Sequence, residues 1–364
     1  MIVISKPQSL TSLLMGRMGN ALLWLFASMH LAALAVLLAT LLSLTDANAA
    51  TQETACPGKN LLVDMQQSDK AGYDAIVEEA AKIPNGQGTF WKIEKDGVEP
   101  SWLLGTMHLS DPRVLEMPQG APEAFAKATT VIVESDEITD EKQAAAALLA
   151  KPELMMFLDG TSMTDMLSKE DAATLERGLK ERGIPLAAVA KMKPWILSSF
   201  VALPACEYAR KASGASFLDM KLAKDAVAQG KKLVGLETLL GQITALSELP
   251  MSFHVQSLVE MLRLGARMDD MMTTMIELYQ DGQVGMIMPM MKHLDASESS
   301  DEGYAAFEQR VIDDRNYVMA KGATPHLEKG NVFMAVGALH LPGEVGVIEL
   351  LRKSGFTLTA VNEW

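Results

Sequence analysis

Apolar positions in this chain fall into two patterns. Short apolar runs end abruptly at a glycine or an acid: Trp102–Leu104 before Gly105, Thr130–Val133 before Glu134, Lys232 to Glu237, and Val332–Val336 before Gly337. These runs are too short for helices and read as buried strands. Phe90–Glu94 followed by Lys95-Asp96-Gly97 predicts a hairpin leading into Trp102, and Phe356–Val361 predicts a last strand. Helical periodicity fills the rest. It runs from Pro118 to Ala128, from the capping sequence at Ser168 to a stop at Gly183, and from Pro194 onward. It resumes from Asp219 to Gln229 before Gly230, and from Glu344 to Lys353 before Gly355. Between Thr238 and about Gly322 only helices are predicted, with breaks at Pro250, Asp281-Gly282 and Pro289. Strands alternating with helices at both ends predict an α/β fold: a mixed central sheet flanked by helices, with a helical insertion or cap between the first and last strands.

One phrase occurs twice at strand ends, as Gly105-Thr106-Met107-His108 and Gly337-Ala338-Leu339-His340, each followed by leucine. Gly-x-x-His is a weak pattern alone, and a single strand-end histidine usually has only a hydrogen-bonding role. Here Glu134 and Glu237 occupy equivalent places after two other strands. Carboxyl ends of strands are where α/β sheets build sites. Two imidazoles and two carboxylates suit a divalent metal such as Mn, Co or Zn. Such an ion would acidify a bound water, with one carboxylate available as base. Glu237 has an alternative use in capping the following helix. Arg315, in the predicted helix before the last Gly-x-x-His, has one in pairing with an acid on a solvated face. The usual zinc spacings, HExxH and paired CxxC, are absent.

Composition adds a compartment. Lys6 and Arg17 precede an uncharged stretch, Ala21–Leu44, and Ala47-Asn48-Ala49 resembles a cleavage signal. Residues 1–50 are therefore read as a signal peptide or, given the length of the uncharged stretch, an N-terminal anchor. Either exports the rest, to the periplasm or to its face of the inner membrane, and membrane contact is expected only through an uncleaved leader. Residues 51–88 read as an extension and 89–361 as the main domain, with its helical insertion at about 238–322. A net charge of −14 argues against nucleic acid as partner. Cys56 and Cys206 are the only cysteines. Outside the cytoplasm they are free to pair, and two separate thiols are the alternative. Ten methionines between Met251 and Met291 read as adaptable core filling or as a loosely specified groove, with a soft copper(I) site as a further alternative.

Taken in order, residues 102–111 (WLLGTMHLSD), 131–136 (VIVESD), 192–195 (MKPW), 217–242 (beginning FLDMKLAKD), 314–320 (DRNYVMA) and 333–356 resemble the TraB/PrgY/GumN family. That family is similar to the Tiki metalloproteases and, more distantly, to the ChaN and erythromycin-esterase group. The resemblance implies metal-dependent peptide cleavage, with His108, Glu134 and His340 as metal ligands. Glu237 would orient or activate water, and Arg315 and Asn316 would steady the tetrahedral intermediate. Gln242 matches a glutamine that follows the family's Gly-Leu-Glu-Thr stretch. Other members are tied to pheromone shutdown or exopolysaccharide gene clusters, so the rival class is a non-catalytic protein that sequesters a peptide or glycan. The sequence does not address oligomeric state.

Overall fold

In the computed structural model, the described residues are 56–361 apart from 141, 143–145, 147, 266 and 295–299; the leader expected at 1–50 lies outside them. Six strands form one sheet: β1 (Phe90–Glu94), β2 (Ser101–Thr106), β3 (Thr130–Val133), β4 (Lys232–Gly235), β5 (Val332–Gly337) and β6 (Thr357–Ala360), in spatial order β4-β3-β5-β2-β1-β6. The block β4-β3-β5-β2 is parallel, while β1 runs antiparallel to both β2 and β6. The fold is thus α/β with a mixed sheet.

The unbroken apolar run of β5 follows from its central place. Its odd and even residues enter different cores, so both faces are buried. Val332, Met334 and Val336 pack with Met319, Ala323, Val347 and Leu351 on one face. Phe333 and Ala335 pack with Phe125, Leu218 and Leu222 on the other. The helices concerned are α1 (Ala121–Lys127) and α2 (Leu218–Ala228) on the second face, and α3 (Asp314–Leu327) and α4 (Val347–Lys353) on the first. Crossovers leading outward from β2 through β3 to β4 use one face and the return to β5 uses the other, as crossovers of one hand require.

Local signals place the helix ends. The last turn of α4 closes at Gly355 (φ +87°), where Gly355 N–H donates to Arg352 and Phe356 N–H to Leu351. Those are the two bonds of a glycine-terminated Schellman motif. The first hairpin is looser than Asp-Gly alone suggests. The Lys95–Val98 turn is followed by Glu99-Pro100, so pairing resumes only at Ser101 opposite Ile93.

A subsidiary core joins helices from both sides of β4. Leu175, Leu179, Leu197 and Val201, from before that strand, pack with Leu258 and Leu262 from after it. The methionine-rich stretch is largely structural. Met268, Met272, Met286, Met288 and Met290 are buried, and Met286 and Met290 pack on Leu62, Met65 and Ile76 from the N-terminal helices Leu61–Ser68 and Lys70–Ala81. Cys56 and Cys206 are joined as a disulfide, with a Cα separation of 5.4 Å. Among the described residues no helix is long and apolar enough to cross a membrane.

Candidate metal centre at the sheet edge

Because β2, β3, β4 and β5 are parallel neighbours, their carboxyl ends share one edge. His108, Glu134, Glu237 and His340 follow those four ends. Glycine at the head of each Gly-x-x-His turn has a steric reason. A Cβ at Gly105 would come within 2.6 Å of Leu341 and 3.1 Å of the Ala338 Cα, so the first turn packs directly on the second. A Cβ at Gly337 would meet Glu134 Oε1 at 3.0 Å, where the bare backbone N–H instead donates to that oxygen at 2.7 Å.

Glu134 lies at the centre. Its Oε2 accepts from Arg315 Nη2 at 2.7 Å and from Gln242 Nε2 at 3.0 Å, and its Oε1 faces His340 Nε2 at 3.8 Å. Burial would raise its pKa, but His340, His108 and Arg315 outweigh that and bring it down to about 2. Its backbone carbonyl accepts from Glu237 N–H at 2.8 Å, which brings the second carboxylate alongside. Glu237 does not cap the next helix; Thr238 does, accepting from Gly241 N–H. The Glu237 carboxylate instead receives Arg315 Nε and Nη2 at 3.0 and 2.9 Å. Arg315 therefore joins two nearly buried carboxylates rather than an acid on a solvated face. A π-helical turn, Glu308–Asp313, immediately precedes it and resets the helical phase of Arg315 and Asn316 relative to the helix upstream.

Asn316 is fully buried with both ends of its amide engaged. Nδ2 donates to the Val345 carbonyl at 3.1 Å, and Oδ1 lies 2.7 Å from His340 Nδ1. With the amide oriented by Val345, Oδ1 can only accept, so His340 Nδ1 carries the ring proton and Nε2 a lone pair. Such an asparagine cannot also reach a substrate oxyanion. The role expected for it gives way to orienting His340.

Burial holds His340 in its neutral form, with a pKa lowered to about 4 despite the attraction of Glu134. Its Nε2 lone pair thus faces a carboxylate oxygen at 3.8 Å. A cation bonded at roughly 2.0–2.2 Å to each would resolve that opposition of two acceptors. Those two donors are of the chemistry a divalent ion takes, but they are fewer than the three protein ligands such a site uses. The third expected ligand, His108, is turned toward Asp219, with Nε2 3.5 Å from Oδ1 and 53% of its side chain exposed. Partial burial works against charging it, but Asp219 and then Glu134 outweigh this and raise its pKa to about 9, with solvent screening part of the attraction. Among the described residues no three His, Cys, Asp or Glu side chains are close enough to share one ion.

Beneath His108 lies a buried polar clamp. Ser110 donates to Glu207 through both N–H and hydroxyl, and Arg210 donates to Glu207 at 2.7 Å. Cys56 N–H donates to Asp111 at 3.4 Å, so the disulfide at Cys206 ties this loop to helix Ala205–Ala212. Asp219 carries no separate signal along the chain, because an acid in a helix's first turn is already accounted for by the helix dipole.

The profile of the TraB/PrgY/gumN family matches residues 89–360. A relative described as "Metalloprotease TIKI1", from Danio rerio, is 25% identical over 312 residues, covering 73% of this chain and 61% of its own length. No solved structure matches.

Proposed function

The chain belongs to the TraB/PrgY/gumN family, and on that footing we propose that it is an exported metal-dependent hydrolase acting on peptides. The observation that carries this is the His340 Nε2 lone pair held opposite the ionised Glu134 Oε1 at 3.8 Å. Similarity to a protein named as a metalloprotease supports it. His340 and Glu134 would hold Mn, Co or Zn, with His108 as the third ligand. The ion would supply a Lewis acid and an acidified water.

The chain's own residues set up that chemistry. Asn316 fixes the His340 tautomer. Arg315 and the Gly337 N–H keep Glu134 ionised. Arg315 also pairs with Glu237, which on this reading would orient a water or take its proton. In that position Arg315 would oppose negative charge developing on a carbonyl oxygen. The Cys56–Cys206 bond agrees with an oxidising compartment and so with export.

A non-catalytic reading has one observation in its favour. A groove of about 710 Å³ on the helical cap is lined by Met166, Met251, Val255 and Val259 and shares no residue with the cluster. Metal analysis of gently purified protein separates the two readings. The hydrolase should carry a stoichiometric divalent ion and lose peptide cleavage on chelation. Absence of binding across Mn, Co and Zn, with ligand binding indifferent to chelator, would establish the sequestering protein instead.

A further inference from the structure

We propose that the Cys56–Cys206 disulfide is a site of thiol–disulfide exchange, opened by a dithiol reductant that attacks Cys206 and expels Cys56 as thiolate. This holds whether or not the sheet edge binds a metal. The two sulfurs occupy unlike surroundings. Cys56 is buried, whereas Cys206 is half-buried in the first turn of helix Ala205–Ala212, next to exposed Ala205. Cys206 is therefore the half of the bridge that a thiolate from solvent can reach.

Each half also has its own means of bearing negative charge. Arg210 Nη2 donates to Cys56 Sγ at 3.1 Å. That guanidinium is fixed by Glu207 at 2.7 Å and by Asp111 at 3.6 Å, and both acids are fully buried. A cation so placed stabilises a thiolate and makes the Cys56 sulfur the better leaving group. Cys206 lies in a helix's first turn, where the helix dipole favours a thiolate in its turn. A bridge that served only to cross-link the chain would need neither provision.

The exchange balances in two steps. A reductant thiolate attacks Cys206 Sγ and forms a mixed disulfide, while the Cys56–Cys206 bond breaks and its electron pair leaves on Cys56 beside Arg210. The reductant's second thiolate then displaces Cys206. The reductant ends as a disulfide, and the two protons its thiols gave up pass through solvent to Cys56 and Cys206. For an exported chain the fitting reductant is a dithiol oxidoreductase. Opening the bridge frees Cys56, whose N–H donates to Asp111, from helix Ala205–Ala212, whose Glu207 holds Ser110. The state of the bridge is thereby passed to the loop that carries His108.

The test uses the native protein with glutathione and dithiothreitol as probes. Brief exposure to excess glutathione, an acid quench and peptide mass spectrometry should find the mixed disulfide on Cys206 and a free thiol at Cys56. The reverse assignment would overturn the proposal. Under native conditions the rate of reduction should rise in proportion to dithiothreitol concentration. A rate that levels off at that of global unfolding, or no reaction in the folded protein, would equally overturn it. Arg210→Gln combined with Glu207→Gln leaves Asp111 paired with Arg113 and the cluster's charge balanced. This variant should be reduced about 10-fold more slowly, with the adduct still on Cys206. An unchanged rate in the folded variant would overturn the assignment of Cys56 as the leaving sulfur. If the variant does not fold, the adduct position and the concentration dependence in wild type decide by themselves.

Discussion

The two Gly-x-x-His turns share a sequence phrase and a sheet edge, yet they place their histidines in opposite electrostatic settings. His340 is buried, neutral and held by an amide. His108 is half exposed, drawn toward its charged form and held by a carboxylate. Burial alone disfavours charge on either ring, and what differs is the partner. His340 faces Glu134, whose attraction Arg315 and His108 oppose, whereas His108 faces Asp219 as its nearest charge. The phrase therefore specifies where an imidazole is delivered but not its protonation. On the proposed metal reading, one ring would be a ready ligand and the other would have to give up a proton first.

The largest expected effect is at the ready ligand. His340→Ala should remove bound metal and hydrolysis together while the protein stays folded. His108→Ala should match it, and the double variant should be no worse if both serve one ion. Metal content and turnover check this; wild-type-like metal content in both single variants would show that the turns share nothing. Glu237→Gln sharpens the result, since a base would cost turnover with metal retained, whereas a ligand would cost both.

Asn316→Ala tests the amide. Freed of its tautomer lock, His340 should bind metal about 10- to 100-fold more weakly. The stranded Val345 carbonyl should also destabilise the fold by about 1–3 kcal/mol in urea titration. Wild-type affinity in this variant would mean that the ring needs no orienting partner.

Replacing Cys56 and Cys206 by serine should cost about 2–5 kcal/mol by denaturant titration. The loss should loosen Ser110 and Asp111, and thus the His108 turn, more than the His340 turn. Hydrogen exchange at the two turns would show the asymmetry; equal loosening would deny that the clamp belongs to one side.

A further expected effect is on pH dependence. Above about pH 4 His340 is neutral and contributes no slope. His108 must be deprotonated to bind, so metal affinity should tighten as pH rises from 6 to 8. Affinity that stays flat over this range would assign the metal no ligand that must lose a proton.

Much of this site could be read in the sequence because strand ends are locally marked. Val332–Val336 is apolar throughout, which only a strand buried on both faces requires, and the residues following each run were visible without knowing the strand order. Distance across the edge was not. Arg315 reaches Glu134 from 181 residues away, and Gly337 N–H reaches it from 203. Asn316 read as a substrate-facing amide because nothing local showed that Val345 and His340 occupy both its ends. Asp219 went unassigned for a related reason: its burial beside Thr106 and His108 depends on a helix docking against β3 and β4.

The central place of β5 has a consequence for the order in which the molecule can be made. Trp102 and Thr130 pair with Phe333 and Val332, so β2 and β3 belong to one sheet only once β5 enters between them. During synthesis that strand emerges only after the whole helical cap. Until then the emerging chain, on the ribosome or crossing a membrane, has an open slot with two bare strand edges and no second imidazole. Contacts of such long range close slowly. The nascent protein should pass through a stage with cap helices formed, aggregation-prone edges exposed and no capacity to bind a metal. The residues that meet at this edge are therefore brought together in one late step.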